Sequence, residues 1–395
     1  MTRIPDIFDV WIDAGCAGWI CYDYPQRTDL FDKWFPADFI TEGKDQIRGW
    51  FNLLVVASTL AFDKIPFKSV YMHGFINDYR GIKMSKSLGN VTDPFEIIDE
   101  YGADVLRYYT IGAARAGFDM NYNPEDTKVK MKNLLILWNL HNLLRDSISN
   151  TGIRPVDEFT KGLEEEYILS KLNSGIKKVT EAFEELRLDE IPHMIEELYL
   201  DVSRNYVQYV RDSLAIGNEE DKTRVISTLA TCIDGLIRIF APVAPFITEK
   251  MHQNLKDELG FSEESVHLRE WPEHDDSLIY ENLEDIFETA GRVIQAALRA
   301  REVAQIGVRW PLKEMIIASK EDKISDMLDK LENLIKGQVN CKKIKVVSNF
   351  EKAKTKVKAD YKKLGPAFAD KTPQVIAELS RCSPETVKSK ILEEG

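Results

Sequence analysis

Residues 35–73 constrain the fold most tightly. Phe35-Pro36-Ala37-Asp38-Phe39-Ile40 reads as a short strand. It runs into the glycine turn Thr41-Glu42-Gly43-Lys44-Asp45-Gln46. From Asp45 to about Phe62, apolar Trp50, Leu53, Leu54, Ala57 and Leu60 fall at helical spacing. Ser69–Met72 reads as a second strand. Strand, turn, helix and strand make one βαβ unit and so a parallel sheet. Such sheets bind ligands beyond the carboxyl ends of their strands. Glu42, Gly43, Asp45 and Gln46 fall at that edge, and so does His73. A carboxylate and an amide there can hydrogen-bond ribose hydroxyls or an ammonium, and Gly43 lets a ligand approach the backbone. Glu42 and Asp45 equally suit a helix's first turn, where the dipole favours acids, so the residues alone leave both readings open.

The stretch His73 to Asn90 follows at once. Gly74 and Gly81 punctuate it, which predicts a turn and puts Lys83-Met84-Ser85-Lys86-Ser87 on a loop. Asp93-Pro94-Phe95-Glu96 then starts a helix, with Asp93 as cap, Pro94 at the first position and Glu96 able to close a capping box. Two lysines three residues apart on such a loop can reach phosphate oxygens from two directions. Their charge is most useful where negative charge builds up in a transition state. The alternative is a solvated Lys/Ser loop, as for any short motif outside its structural context.

Composition narrows the class. A chain of 395 residues predicts two or three domains, and 44% apolar residues suffice for sizeable cores. No apolar run approaches the ~18 residues of a membrane span, and the first residues lack a signal-peptide core. Five scattered cysteines, none in a C-x-x-C pair, predict reduced thiols in a cytoplasmic protein and give no indication of zinc or another metal site. A net charge of −13 argues against a generic nucleic-acid coat but leaves room for local basic tracks.

Elsewhere the pattern predicts helices. Phe8–Gly15 reads as a strand before a glycine turn. From Pro124 the chain turns helical. Lys132–Leu140, Tyr167–Leu186, Ile191–Ser213 and Asp221–Phe240 predict long helices, and a fifth starts near Pro245. Trp138, Tyr206 and Tyr209 are candidates either for stacking on unpaired bases or for core packing. Arg204 and Arg211, seven apart, fall on one face of a continuous helix, where they either track phosphates or form surface ion pairs. Arg299, Arg301 and Arg309 make the most basic stretch outside the lysine loop. Met315–Ala318 and Lys342–Val347 predict strands with a helix between, residues 351–363 a solvated lysine-rich face, and Thr372 the start of another helix.

The residues also carry a resemblance. Lys83-Met84-Ser85-Lys86-Ser87, with the His-Gly strand before it and Tyr101-Gly102-Ala103-Asp104-Val105-Leu106-Arg107 after it, resembles the second signature of class I aminoacyl-tRNA synthetases. Trp11–Gly15, Phe35–Asp38, Glu42–Phe51 and His73-Gly74-Phe75 together resemble the isoleucyl-tRNA synthetase family; valyl and leucyl relatives differ in Glu42–Phe51. Ile12 and Ala14-Gly15-Cys16 depart from that family's usual Phe-Asp-Ser-Gly-Ser. Leu364–Phe368 resembles its archaeal and eukaryotic type.

The resemblance implies a multidomain α/β and α architecture. Residues 1–123 would be the carboxy-terminal half of a Rossmann-like catalytic core. Residues 124–313 would be an anticodon-binding helical bundle, and 314–395 a small, incomplete α/β region. It implies that Lys83 and Lys86 hold the triphosphate and act in catalysis. Glu42, Gly43, Asp45, Gln46, His73, Gly74, Phe75, Met84 and Ser85 would bind ATP or the adenylate, and Trp50 would line the amino-acid pocket. Arg204, Arg211, Arg299, Arg301 and Arg309 would face tRNA. ATP, Mg²⁺, isoleucine and the isoleucine-accepting tRNA are the implied ligands. The other class signature, His-x-Gly-His, does not occur in the sequence. The expectation is therefore the carboxy-terminal part of a synthetase, completed by a separate amino-terminal half or by preceding residues. A tRNA-binding module without catalysis, or a valyl-type enzyme, are the alternatives.

Overall fold

The computed structural model describes Pro5, residues 9–321, 323–348, positions 350, 359, 364 and 368, and residues 371–390 except 385 and 388. The expectations for 351–363 and for Leu364–Phe368 therefore lie almost wholly outside the described residues. The chain divides into two compact units, residues 1–288 and 289–395.

The first unit opens with α1 (Val10–Gly15), α2 (Ala17–Ile20) and α3 (Asp29–Trp34). The strand expected around Trp11 is thus a helix. Asp9 caps it by accepting the Trp11 amide at 2.8 Å, and a short capped turn needs no alternating pattern. A Cβ on Gly15 would come within 3.0 Å of Leu53 in the helix over Trp50–Phe62, so α1 backs closely onto that helix. Strand β1 (Ala37–Gly43), α4 (Trp50–Phe62) and β2 (Phe67–His73) form the expected βαβ unit. The strands pair in parallel, with Gly43 opposite His73 at their carboxyl ends. The helix begins later than its apolar spacing suggests. Lys44–Arg48 is a 3-10 turn, and the Gln46 side chain accepts the Trp50 amide at 2.9 Å as a cap.

Strands β3 (Ile76–Asn77) and β4 (Met120–Asn121) pair in parallel. Between them lie α5 (Pro94–Tyr101) and α6 (Ala103–Ile111). Asp93 caps α5 through the Phe95 amide, with Pro94 at the first position as its sequence predicts. Ile97, Tyr109, Met120 and Tyr122 form a buried apolar cluster.

The bundle follows: α7 (Pro124–Thr151), α8 (Leu163–Glu184), α9 (Ile191–Asp201), α10 (Val207–Tyr209), α11 (Arg211–Ile216), α12 (Glu219–Phe240) and α13 (Pro245–Leu259). Asn123 caps α7 and Gly152, in the left-handed region, ends it. Asn218 and three acids open α12, which buries Ile226, Leu229, Ile233, Leu236 and Ile237 completely. The single helix expected over Ile191–Ser213 is broken. Val202–Tyr206 forms a π turn, and Val210 leaves helical geometry before α11. The seven-residue spacing of Arg204 and Arg211 therefore no longer puts them on one face by periodicity alone.

Helix α6 is fastened to the bundle along its length. The Asp104 carboxylate accepts the Phe246 and Ile247 amides of α13 at 3.2 and 2.6 Å. Arg107 donates to the Val243 and Pro242 carbonyls at 3.1 and 2.8 Å. The buried Tyr108 hydroxyl meets Tyr199 at 3.0 Å and donates to Glu196, which also takes Lys130 and Asn133 at 2.6 Å each.

The second unit contains β5 (Met315–Ala318), α15 (Lys323–Val339) and β6 (Ile344–Val347), a further parallel βαβ unit. It also holds the last turns of α14 (Glu281–Val303) and a helix over Thr372–Arg381. Among the described residues, no helix is long and apolar enough to cross a membrane.

Candidate active site around the Lys-Met-Ser-Lys-Ser loop

The site is built at the carboxyl ends of β1 and β2. Gly43 is buried and opposite His73, and a Cβ on it would lie 2.6 Å from the Asp45 carboxylate. Glu42 Oε2 accepts the Gly43 amide at 3.2 Å and stands 3.6 Å from His73 Nε2. Asp45 accepts from the Gln46 side-chain Nε2 at 3.0 Å. The Trp50 indole donates to the Ala14 carbonyl at 3.0 Å, which fixes its half-buried ring against α1. Glu42, Asp45 and His73 are exposed at this edge, as the βαβ reading predicts.

Beyond His73 the chain passes very close to the segment before β4. A Cβ on Gly74 would stand 2.1 Å from the Phe118 carbonyl oxygen, so no other residue fits without moving that backbone. The Phe75 amide donates to Asp119 at 2.7 Å. Asp119 also pairs with Lys44 at 2.7 Å, and these two contacts hold its carboxyl below the usual range.

The pentad loop is shaped by two side chains that its own sequence does not contain. One oxygen of Asp78 accepts the Arg80 and Ile82 amides at 2.9 Å each, closing the turn in which Gly81 has φ +79. Its other oxygen accepts from Asn90 at 3.0 Å. Asn90 donates to the Lys83 carbonyl at 3.3 Å and accepts the Ser85 amide at 2.9 Å. Ser85 then caps a 3-10 turn over Lys86–Leu88. Met84 packs against the Ile97–Tyr109–Met120–Tyr122 cluster. The backbone is therefore pinned from both sides while the two ammonium groups stay outside. Lys83 and Lys86 are exposed, and neither has an acid partner among the described residues. Lys83 Nζ lies over the Phe75 ring, 5.2 Å from its centroid. That contact joins the loop to the strand edge.

Asp78, Asn90, Lys44 and Asp119 were not among the sequence-predicted site residues. Asp78 had a local signal, an aspartate two and four residues before amides that it can bind. Asp119 had none, since it lies 44 residues from Phe75.

The tRNA-facing expectations divide. Arg204, Arg211 and Arg309 are exposed, and Arg299 is exposed but paired with Glu302. Arg301 is corrected: it is 3% exposed, and its Nη2 donates to the Gly307 and Trp310 carbonyls. It holds the turn after α14 and does not reach a phosphate surface. Tyr206 is also corrected as a stacking candidate, being fully buried with its hydroxyl on Glu165 at 3.1 Å. Trp138 is half-buried beside His141, and Tyr209 packs near Phe287.

Comparison with known proteins gives a consistent result. The family model "tRNA synthetases class I (I, L, M and V)" matches residues 1–123, and "Anticodon-binding domain of tRNA ligase" matches residues 165–317. An isoleucine–tRNA ligase of Methanothermobacter thermautotrophicus is 36% identical over 402 residues, covering 100% of this chain and 38% of its own. One from Thermococcus kodakarensis is 35% identical, covering 96% of this chain and 36% of its own. The chain thus spans well under half the length of these relatives. Among solved structures, the Agrobacterium radiobacter K84 agnB2 LeuRS–tRNA–LeuAMS ternary complex superposes with a TM-score of 0.57 at 24% identity, covering 71% of this chain and 34% of that one. Mycobacterium tuberculosis methionyl-tRNA synthetase with methionyl-adenylate gives 0.55 at 23%, covering 66% and 56%. Both share the fold. The chain thus carries a class I tRNA synthetase domain over residues 1–123, which holds the pentad, and an anticodon-binding domain of the tRNA ligases over residues 165–317.

Proposed function

We propose that the chain is part of an isoleucine–tRNA ligase. In the first half-reaction an isoleucine carboxylate oxygen attacks the α-phosphorus of ATP. The bond to the β-phosphate oxygen breaks, and pyrophosphate leaves with that electron pair. In the second, a ribose hydroxyl at the tRNA end attacks the acyl carbon and AMP leaves. The observation that carries the reading is the pentad. Two exposed ammonium groups with no acid partner among the described residues stand on a pinned loop beside the carboxyl ends of parallel strands. There Lys83 and Lys86 would hold the triphosphate and stabilise the charge that builds up as pyrophosphate departs. Glu42, Gly43, Asp45, Gln46, His73, Gly74 and Phe75 would position the ribose, adenine and ammonium ends, with Met84 and Ser85 setting the loop. No protein nucleophile is needed, because positioning and electrostatics supply the rate.

Two ammonium groups with hydroxyl and amide neighbours do not suit a divalent cation. Mg²⁺ would therefore be carried by the phosphate oxygens. His-x-Gly-His would have to come from other residues of the protein or from a separate amino-terminal half. The isoleucine-accepting tRNA is the proposed partner of the bundle, with Arg204, Arg211, Arg299 and Arg309 as contacts. The five free cysteines suit a cytoplasmic location.

Isoleucine is chosen because the similarity to enzymes of that name runs through 96–100% of this chain. The test is ATP–pyrophosphate exchange by this chain joined to its amino-terminal half. Isoleucine should support exchange best and valine detectably, since an apolar pocket discriminates one methylene by only about 150-fold, a value measured on isoleucyl-tRNA synthetase itself. Trp50→Ala should raise the isoleucine KM and leave ATP use nearly intact. A preference for valine would move the assignment to the valyl group. A second reading, a tRNA-binding module alone, draws on the bundle and on the lack of His-x-Gly-His. Pyrophosphate exchange by the isolated chain would refute it.

A further inference from the structure

Phe75 is braced more firmly than an exposed loop residue requires. Its amide donates to Asp119 Oδ1 at 2.7 Å, and the same oxygen accepts the Lys44 ammonium at 2.7 Å. Lys44 directly follows β1 and Asp119 directly precedes β4. One carboxylate oxygen thus ties the ends of two different sheets to the Phe75 backbone. The ring itself stays exposed. Two ammonium groups lie over it, Lys44 Nζ at 5.5 Å and Lys83 Nζ at 5.2 Å from the centroid. Both are within the range in which an aromatic ring attracts a cation. The two cations differ in one respect. Lys44 is neutralised by Asp119, whereas Lys83 has no acid partner among the described residues.

We infer that Lys44 and Asp119 are positioning residues for the signature loop: they fix Phe75, and Phe75 parks the Lys83 ammonium at the strand edge. The assignment of Lys83 to a triphosphate gives this arrangement its use, so the inference rests on the proposed function. An exposed cation–π contact biases a position by roughly two- to fivefold. That bias keeps Lys83 near the site. Several phosphate oxygens, each able to accept a charge-assisted hydrogen bond, outweigh it and draw the ammonium off the ring. Breaking the Lys44–Asp119 pair loosens the brace, and the loop samples positions from which Lys83 reaches the triphosphate less often.

The test uses this chain with its lysines carbon-13 dimethylated, which keeps their charge, and proton–carbon NMR. Lys83, assigned by Lys83→Arg, should show a methyl resonance displaced by the ring. Phe75→Leu and Asp119→Ala should both return it to the position of an exposed lysine. Asp119→Asn, which still offers Phe75 an acceptor, should return it only partly. Lys130, whose Nζ sits 4.5 Å from the Tyr108 ring at the α6 joint, reports that each variant is folded. A Lys83 resonance unchanged in Phe75→Leu or Asp119→Ala, with Lys130 in place, overturns the inference. In the enzyme joined to its amino-terminal half, ATP should move the wild-type Lys83 resonance. ATP that leaves it in place while Phe75→Leu still moves it would sink the triphosphate role and uphold the parking contact. In the joined enzyme, Lys44→Met should raise the ATP KM roughly threefold with the isoleucine KM unchanged, and Lys44→Arg should restore it. Equal changes in both KM values would mean a general structural role and would contradict positioning.

Discussion

The pentad loop and the helical bundle are held by opposite means. In the bundle, Leu137, Leu144, Ile168, Ile195, Leu229 and Ile233 are essentially fully buried, and stability comes from apolar surface removed from water. In the loop, Lys83, Lys86, Ser87 and Leu88 are exposed, and shape comes from Asp78 and Asn90 bonding to backbone groups. A core fixes a helix without caring which polar groups face outward. A polar brace fixes a backbone while leaving its side chains outside and free to meet a ligand. Helix α6 joins the two regimes. Tyr109 packs into the cluster that holds Met84, while Asp104, Arg107 and Tyr108 bind the bundle.

This contrast can be broken from the bundle side with the largest effect. Leu144→Ala should cost about 3–5 kcal/mol, because the close-packed helices cannot collapse onto the lost volume. Urea unfolding measures it, and a loss under ~1 kcal/mol would mean that the bundle is loosely packed.

Acid is the next lever. His141 is fully buried in the bundle, and burial, followed by the nearby Arg145, lowers its pKa from 6.5 to about 4. The folded form therefore takes up its proton later than the unfolded form does. The stability from the neutral ring is complete above pH ~6.5 and is lost as pH falls toward the folded value, by up to roughly 3 kcal/mol. His141→Gln should flatten the fall in urea midpoint between pH 7 and pH 4. An unaltered slope would place the acid sensitivity elsewhere.

On the loop side the effect should be small in stability and local in place. Asn90→Ala removes the contacts to Asp78, Lys83 and Ser85, leaving global unfolding within about 1 kcal/mol of wild type. Amide exchange at Ser85 should rise severalfold while α7 and α12 stay protected. Unchanged Ser85 exchange would show that Met84 packing alone fixes the loop.

The two regions were also unequally legible. The βαβ unit over residues 37–73 and most bundle helices follow from periodicity and caps that lie within a few residues of one another, as Asn123–Pro124 and Asp93–Pro94 do. The break in the helix after Asp201 was missed because Val202–Tyr206 keeps an amphipathic pattern through a π turn. Helix α1 was misread because alternating Val10 and Ile12 imitate a strand, while the Asp9 cap and the Gly15 approach to Leu53 decide otherwise. The loop lysines were legible as a motif. Their braces were legible only where they are local, as at Asp78. Asp119 reaches Phe75 across the fold, and Arg301 turned inward onto Gly307 and Trp310, where a run of arginines gives no sign of burial.

On the proposed function, the exposed loop, and in it the two lysines, carries the chemistry while the bundle carries the stability. The most direct measurement is ATP–pyrophosphate exchange by the joined enzyme bearing Lys83→Ala or Lys86→Ala, alongside urea unfolding of the same variants. Exchange should fall by about a hundredfold or more for each, the scale of removing one preorganised charge from a transition state. The unfolding midpoint and the isoleucine affinity should hold near wild type. Wild-type exchange in either variant would contradict the role given to that lysine. A fall in exchange matched by a fall in unfolding midpoint would mean that the loop supports the fold and not the reaction.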